Sequence, residues 1–421
     1  MQNQLDRSID AHAETAFAFL EALVRAPSTV GSEQAALEVF AQEAASIGLA
    51  VERLPFSNER VTDARAGVTQ PAELLSPDRY QVLATTPGSD ALHLLLNGHM
   101  DVVPAESPEL WTTPPFQPQR RNGRMYGRGA ADMKSGFAVG MLALRGLRDV
   151  SPDLFAGRRL GFLAVVEEEC TGNGALRSIA EHGIRAPEVV VLEPTDLGLL
   201  LGGVGVLWLD IGVTSRAGHA YAAHESAIDS AMRLVERLRQ WSGDLRRSEP
   251  EPSLPADQNP YNVNLGKIQA GDWTSSVPSS ATLGVRVGFP RSWTPTKAES
   301  EVRRVIAAFA NEAGLPVPPK VTLTGLRAQG YLLDADCGLV RDLRAAHLDA
   351  HGVAPATFSL GSTTDARTYL NDFGIPAVCF GATAHDMHGI DESVELQSIV
   401  DAARTLARFI WRRFSTSEAS A

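Results

Sequence analysis

The chain has 421 residues, 44% of them apolar and 21% charged, and a formal net charge of -12. That length suggests two domains, and the composition is too apolar for a disordered chain. The acidic balance argues against nucleic acid and anionic membrane as partners, since both call for basic surface, but leaves open a small anionic substrate held at a local basic site.

The first segment, "MQNQLDRSIDAHAETAFAFLEALVRAPS", spaces its apolar residues helically and lacks the continuous apolar stretch of a signal peptide. "EQAALEVFAQEAASIG" predicts a helix that stops at Gly48. "ALHLLLNGHMD" reads as a strand, "DMKSGFAVGMLALRGLRDV" as a helix, "RRLGFLAVVEEE" as a strand, "GALRSIAEHG" as a helix and "PEVVVLEP" as a third strand. This alternation implies an α/β domain, a mostly parallel sheet with helices on both faces. Ligands gather at the carboxyl ends of such strands. "LGLLLGGVGVLWLDIGV", residues 197–213, is the longest apolar stretch; its glycines and Asp210 predict two strands and a turn rather than a membrane span.

Near residue 205 the pattern changes to strand, helix, strand, strand, helix, strand, the order of an α+β sandwich. Between its first helix and second strand lies "RRSEPEPSLPADQNP", a loop rich in proline and acid. The expected inserted domain covers 205–326. The chain then returns to alternating elements, "CGLVRDLRAAHLDAHG", "IPAVCFG" and a helix ending near Phe414, before a short polar tail. The first domain is thus expected to be discontinuous, 1–204 plus 327–421. Cys170, Cys337 and Cys379 are few, odd in number and scattered, which suggests a reducing compartment, the cytoplasm, and no disulfide framework.

Polar residues collect where the apolar strands end. "NGHMDVVP" offers His99 and Asp101, and residues i and i+2 of an extended segment point the same way, so the carboxylate could hold one imidazole nitrogen and aim the other at a metal. In "GRGAADMKSG", Asp132 sits where a glycine-rich turn enters a helix, as an N-terminal cap or as a carboxylate bridging two ions. "VVEEECTGNGA" brings Glu167, Glu168 and Glu169 together after a buried strand, where three like charges call for a cation. Glu193 ends the next strand, and "ATAHDMHGIDE" supplies His385 and His388. Read together, His99, Asp132, Glu169, Glu193 and His388 form a nitrogen and oxygen donor set without thiolate, suited to Zn²⁺, Mn²⁺ or Co²⁺. Three carboxylates exceed the needs of one tetrahedral zinc but fit two ions sharing a bridging Asp, roughly 3.5–4 Å apart.

The ordered set His-x-Asp, Gly-Arg-Gly-x-x-Asp, Glu-Glu, Glu-Pro and His-x-x-Asp-Glu resembles the M20 metallopeptidase family over about residues 15 to 412. That family includes acetylornithine deacetylase, succinyl-diaminopimelate desuccinylase, aminoacylase-1 and the glutamate carboxypeptidases. The resemblance implies one ion held by His99, Asp132 and Glu193 and another by Asp132, Glu169 and His388. It makes Asp101 the partner that orients His99, Glu168 the general base, and the insertion a lid through which two subunits dimerise. His385 lacks the motif context. In "SRAGHAYAAHESAIDSA", His219 matches a histidine that reaches into the partner subunit's site to stabilise the oxyanion. His224 has no such support. Asn264 and Arg286 match substrate-binding positions, Arg286 through a carboxylate, and "GSTTDAR", 361–367, matches a loop of the substrate pocket. The implied function is removal of an acyl group from an N-acyl amino acid or related amine, in the manner of the acetylornithine deacetylase and desuccinylase branch. A dipeptidase or carboxypeptidase, a hydrolase of heterocyclic or aromatic amides, and a non-catalytic metal-dependent binding protein are the alternatives; the last needs the ligands but not Glu168.

Overall fold

The computed structural model describes residues 2–56, 63–69, 78–88, 91–221, 224–254 and 258–415. A nine-stranded sheet forms the spine of the larger unit. Across it the strands run Ala50–Pro55, Tyr80–Thr85, Leu160–Val165, Leu94–His99, Val189–Val191, Ala377–Cys379, Leu199–Gly203 and Tyr331–Leu332, while Thr357–Leu360 also pairs with Leu199–Gly203. The four central strands, Leu160–Val165 to Ala377–Cys379, are parallel, as the alternation of strand and helix predicts. Antiparallel pairings occur toward both edges.

Both faces are covered. Successive strand residues point to opposite sides, so Leu94, Leu96 and Phe162 join one core with the helices Gln2–Arg25, Gln34–Ser46, Lys134–Val150 and Leu396–Ser415. Leu95, Leu163 and Val165 join Ala175, Ile179 and Tyr369 on the other face. In the first core Phe137 stacks on Phe162 at 5.2 Å, and Phe40 meets both edge-on at 5.0 Å. Such pairs add about 0.5–1.5 kcal/mol each beyond simple burial. The Gln34–Ser46 helix ends where predicted, with Gly48 at φ +87° in the left-handed region that glycine tolerates.

Residues 205–328 make a separate antiparallel sheet in the order Val263–Ala270, Ser280–Phe289, Gly205–Thr214 and Lys320–Ala328. Leu209, Ile211 and Val213 point into a core with the helices Ala227–Ser248 and Pro295–Glu312, while Asp210 and Thr214 are exposed. Ser226 and Asp229 form a reciprocal capping box at the start of the first helix, and Thr294 caps the second. The predicted turn near residue 204 is a single residue: Leu199–Gly203 belongs to the large sheet and Gly205–Thr214 to the small one. A side chain at Gly205 would lie 2.1 Å from the Phe289 ring, so the crossing needs glycine there. The proline-rich segment begins inside the helix, which continues to Ser248; its residues 255–257, like the tail 416–421, lie outside the described residues. No helix among the described residues is long and apolar enough to cross a membrane.

Candidate metal centre

Each polar strand end predicted from the sequence opens at the same edge of the large sheet. His99 is the last residue of its strand and is buried. Its Nδ1 lies 2.9 Å from the backbone carbonyl of Asp101, which can only accept, so Nδ1 carries the hydrogen and Nε2 faces the site. Nε2 is 3.1 Å from Asp132 Oδ1 and 3.8 Å from Glu193 Oε1. Asp101 therefore orients His99, but through its carbonyl; its carboxylate is 3.8 Å from Nδ1. The strand stops at His99, so the i, i+2 rule no longer applies at Asp101. That carboxylate instead accepts the backbone N–H of Glu168 at 3.3 Å and of Glu169 at 3.0 Å.

Asp132 does not cap the helix that follows. Met133 occupies the cap position, with no side-chain hydrogen bond. The Asp132 carboxylate spans two imidazoles, Oδ1 toward His99 and Oδ2 3.2 Å from His388 Nε2. Glu169 Oε1 is 3.1 Å from the same His388 nitrogen. One donor atom each from His99, Asp132 and Glu169 lies within 4.8 Å of the others. Two turns deliver the glutamates. Glu167 takes φ +64°, and Gly174 lets the next helix start against the strand end, where a Cβ would sit 2.0 Å from Val166 O.

Like charge shapes the titration of the site. Burial pushes Glu168 well above the usual carboxylate range, and Asp365, Glu193 and Glu169 raise it further against the pull of His99. Burial likewise lifts Glu193 to about 8 and raises Glu169, which also feels Asp132. Hydrogen bonds to Asp132 and Glu169 raise His388 to about 11. Burial lowers His99, but the surrounding carboxylates outweigh it and hold the ring well above its ordinary value. Among the described residues, no lysine or arginine pairs with Asp132, Glu168, Glu169 or Glu193, whereas the nearby buried acids Glu33, Glu167 and Glu392 each face an arginine. Carboxylates and imidazoles converging without a lysine or arginine fit divalent metal ions.

Glu167 points away from this cluster. Its Oε1 is 2.5 Å from Arg79 Nη1, its Oε2 accepts the Thr171 hydroxyl at 2.7 Å, and Arg79 reaches Glu33 at 2.9 Å. Sequence reasoning missed this buried triad, because Arg79 is remote in the chain and no local pattern marks it. It also missed Arg128, which pairs with the last residue of "HGIDE", and Asp365, which accepts Asn97 Nδ2 at 3.2 Å beneath the His99 strand. The motifs "GRG", "HGIDE" and "GSTTDAR" were the available signals. His385 pairs with Glu395 at 2.8 Å and takes no part in the cluster.

The residues predicted on the insertion share no hydrogen bond or ion pair with the cluster among the described residues. His219 is exposed in the short strand Gly218–His219, its ring 4.6 Å from that of Tyr221. Asn264 is exposed and stands opposite Arg286 in the sheet register. Arg286 donates to Asn262 Oδ1 and, at 2.9 Å, to the carbonyl of Gly361 in the "GSTTDAR" loop. No acidic partner for it is present among the described residues, and burial lowers its pKa.

The family model of Peptidase family M20/M25/M40 matches residues 95–412, well over half of the chain. The chain belongs to this family. Two curated relatives, each named succinyl-diaminopimelate desuccinylase, cover nearly all of it. The one from Methylorubrum populi is 30% identical over 417 residues, 96% of this chain and 99% of its own. The one from Methylobacterium sp. (strain 4-46) is 29% identical over 414 residues, 95% of this chain and 96% of its own. Among solved structures, the di-peptidase Dug1p of Saccharomyces cerevisiae superposes with a TM-score of 0.81 over 99% of both chains at 13% identity, a likeness of fold. This M20 protein is a metal-dependent hydrolase acting on an amide carbon–nitrogen bond.

Proposed function

We propose that this M20 hydrolase removes an acyl group, succinyl foremost, from the nitrogen of an amino acid or related amine. One observation carries the reading: among the described residues, the carboxylates and imidazoles at the strand ends converge without a lysine or arginine, while Arg286 is half-buried without an acidic partner. The first arrangement asks for metal ions and the second for an anionic group on the substrate. His99, Asp132 and Glu193 would hold one ion, and Asp132, Glu169 and His388 the other; zinc suits these donors best, with cobalt or manganese as substitutes. When bound, two such ions polarise the amide carbonyl and make a nearby water acidic. Glu168, whose side chain makes no hydrogen bond among the described residues, takes the proton of that water and later delivers it to the leaving amine. Asp101 keeps His99 and the Glu168–Glu169 backbone in place. Arg286 grips a substrate carboxylate bidentately, with Asn264 beside it.

The insertion acts as lid and dimer surface in this reading. Trp273, Ile268 and Met232 are exposed there, large apolar side chains that a second copy would cover. His219, which shares no hydrogen bond or ion pair with its own chain's cluster among the described residues, would then serve the partner's site. Unpaired cysteines agree with a cytoplasmic setting. The deciding experiment is a hydrolysis screen of N-succinyl, N-acetyl and N-formyl amino acids and of dipeptides with metal-reconstituted protein. Turnover of an N-acyl amine in preference to dipeptides is expected; cleavage of dipeptides alone would replace the proposal with a dipeptidase.

A further inference from the structure

His388 and Asp132 approach each other from opposite ends of the chain, and a single buried ion pair connects the backbones that carry them. Glu392 is fully buried. Its Oε1 accepts the backbone N–H groups of Ala131 and Asp132, each at 2.9 Å. Its Oε2 accepts Gly129 N–H at 3.0 Å and Arg128 Nη1 at 2.5 Å. The second arm of Arg128 turns the other way, donating to the carbonyls of His388 at 3.2 Å and Gly389 at 3.1 Å. The Glu392 carbonyl also accepts Gly127 N–H at 3.0 Å. The turn 127–132 and the loop 388–392 are therefore held to each other by charge-assisted hydrogen bonds, the strong kind, out of contact with water.

The consequence concerns geometry. The Asp132 N–H itself donates to Glu392, and the His388 carbonyl itself accepts from Arg128, so the pair acts on the main chain of Asp132 and His388 without touching an ion. We propose that Glu392 and Arg128 are positioning residues: together they set the separation of Asp132 and His388, and so the affinity for the ion these two share. This rests on the ligand assignment proposed above. Partners one step behind metal ligands commonly change metal affinity by about 10- to 100-fold when replaced.

The two residues should fail differently. In Glu392→Gln, one side of the carboxamide presents hydrogens to donors that need an acceptor, so the 129–132 turn loosens. Asp132 belongs to both ion sites, and both weaken. In Arg128→Lys the charge toward Glu392 is kept, but one ammonium cannot also hold the two carbonyls of the 388–392 loop. The ion that uses His388 weakens, and the other stays near wild type.

The test is calorimetric titration of metal-stripped full-length protein with Zn²⁺, with thermal melts of each variant alongside. Val305→Ala, a cavity variant in the separate core of the insertion, is the control for general loosening. The expected result is two ions in wild type, both about 10- to 100-fold weaker in Glu392→Gln, and only one weaker in Arg128→Lys, with Val305→Ala unchanged in affinity despite a lower melting temperature. Fewer than two ions in wild type would overturn the two-ion assignment itself. Two ions in wild type with wild-type affinity in both folded variants would overturn the positioning role and leave that assignment standing. An equal loss in Val305→Ala would also overturn it. Should Glu392→Gln fail to fold, Arg128→Lys decides the question alone.

Discussion

Replacing Arg79 by Met tests why three adjacent glutamates can coexist at one strand end. Arg79 lies fully buried between Glu33, at 2.9 Å, and Glu167, at 2.5 Å. Methionine keeps much of the length and none of the charge. Among the described residues, Glu167 would retain the Thr171 hydroxyl, and Glu33 the backbone N–H groups of Gly31 and of its own residue. Leaving a buried partner unpaired costs about 3–5 kcal/mol. The loss is not doubled for two carboxylates, because burial already pushes Glu33 up to about 7 and it can take a proton. Unfolding entropy of about 2.1 cal/mol/K per residue gives roughly 0.9 kcal/mol/K for a cooperative unit of this size. The melting temperature should therefore fall by about 3–6 °C in scanning calorimetry at mildly alkaline pH. The triple variant Arg79→Met, Glu33→Gln, Glu167→Gln should regain most of that loss, since a neutral replacement of a buried ion network is often tolerated. An unchanged melting temperature in Arg79→Met, or a triple variant no better than the single one, would refute the reasoning.

Glu168→Gln should keep its metal content and lose about 10²- to 10⁴-fold in kcat, the contribution of a general base; near-normal turnover would remove Glu168 from that role. Mixing His219→Ala subunits with Glu168→Gln subunits should restore partial activity, because one hybrid site then has both groups intact. No recovery, in a mixture shown to exchange subunits, speaks against His219 acting across the dimer. Glu33 supplies a pH test. Its folded pKa of about 7 lies above the ordinary 4.5, so its stabilising contribution is complete below about pH 4.5 and is lost as pH rises through about 7. Glu33→Gln should flatten the fall of melting temperature across that window; parallel curves for the two proteins would contradict the assignment.

The sequence was most readable where chemistry and periodicity coincide. An apolar run ending in acids announced Glu167–Glu169 and Glu193 as strand-end residues, and the change from alternating helix and strand to a sandwich order marked the insertion. Strands without that contrast escaped. Tyr80–Thr85 is buried on both faces and shows no alternation, and Ala50–Pro55 is a mostly exposed edge. The small strands Gln119–Arg121 and Arg124–Tyr126 are too short to carry a period. Within the site, the polar residues that converge could be picked out from local motifs, but their supports could not. Arg79 meets Glu167 across 88 positions and Arg128 meets Glu392 across 264. Nothing local encodes such a pairing. The Asp101 carboxylate was expected beside His99 because a strand was extrapolated past its last residue.

The strand Ala377–Cys379 lies between Val189–Val191 and Leu199–Gly203, which are close neighbours in the chain. On a ribosome, the slot between those two strands stays open until the whole insertion has been made and the last part of the chain emerges. Until then the nascent sheet carries unpaired interior edges, which can recruit foreign strands, so this interval is the hazardous one for the cell. The same late arrival that fills the slot brings His388 to Asp132. Unfinished chains would therefore lack the His388 side of the polar cluster, which closes only once the fold is complete.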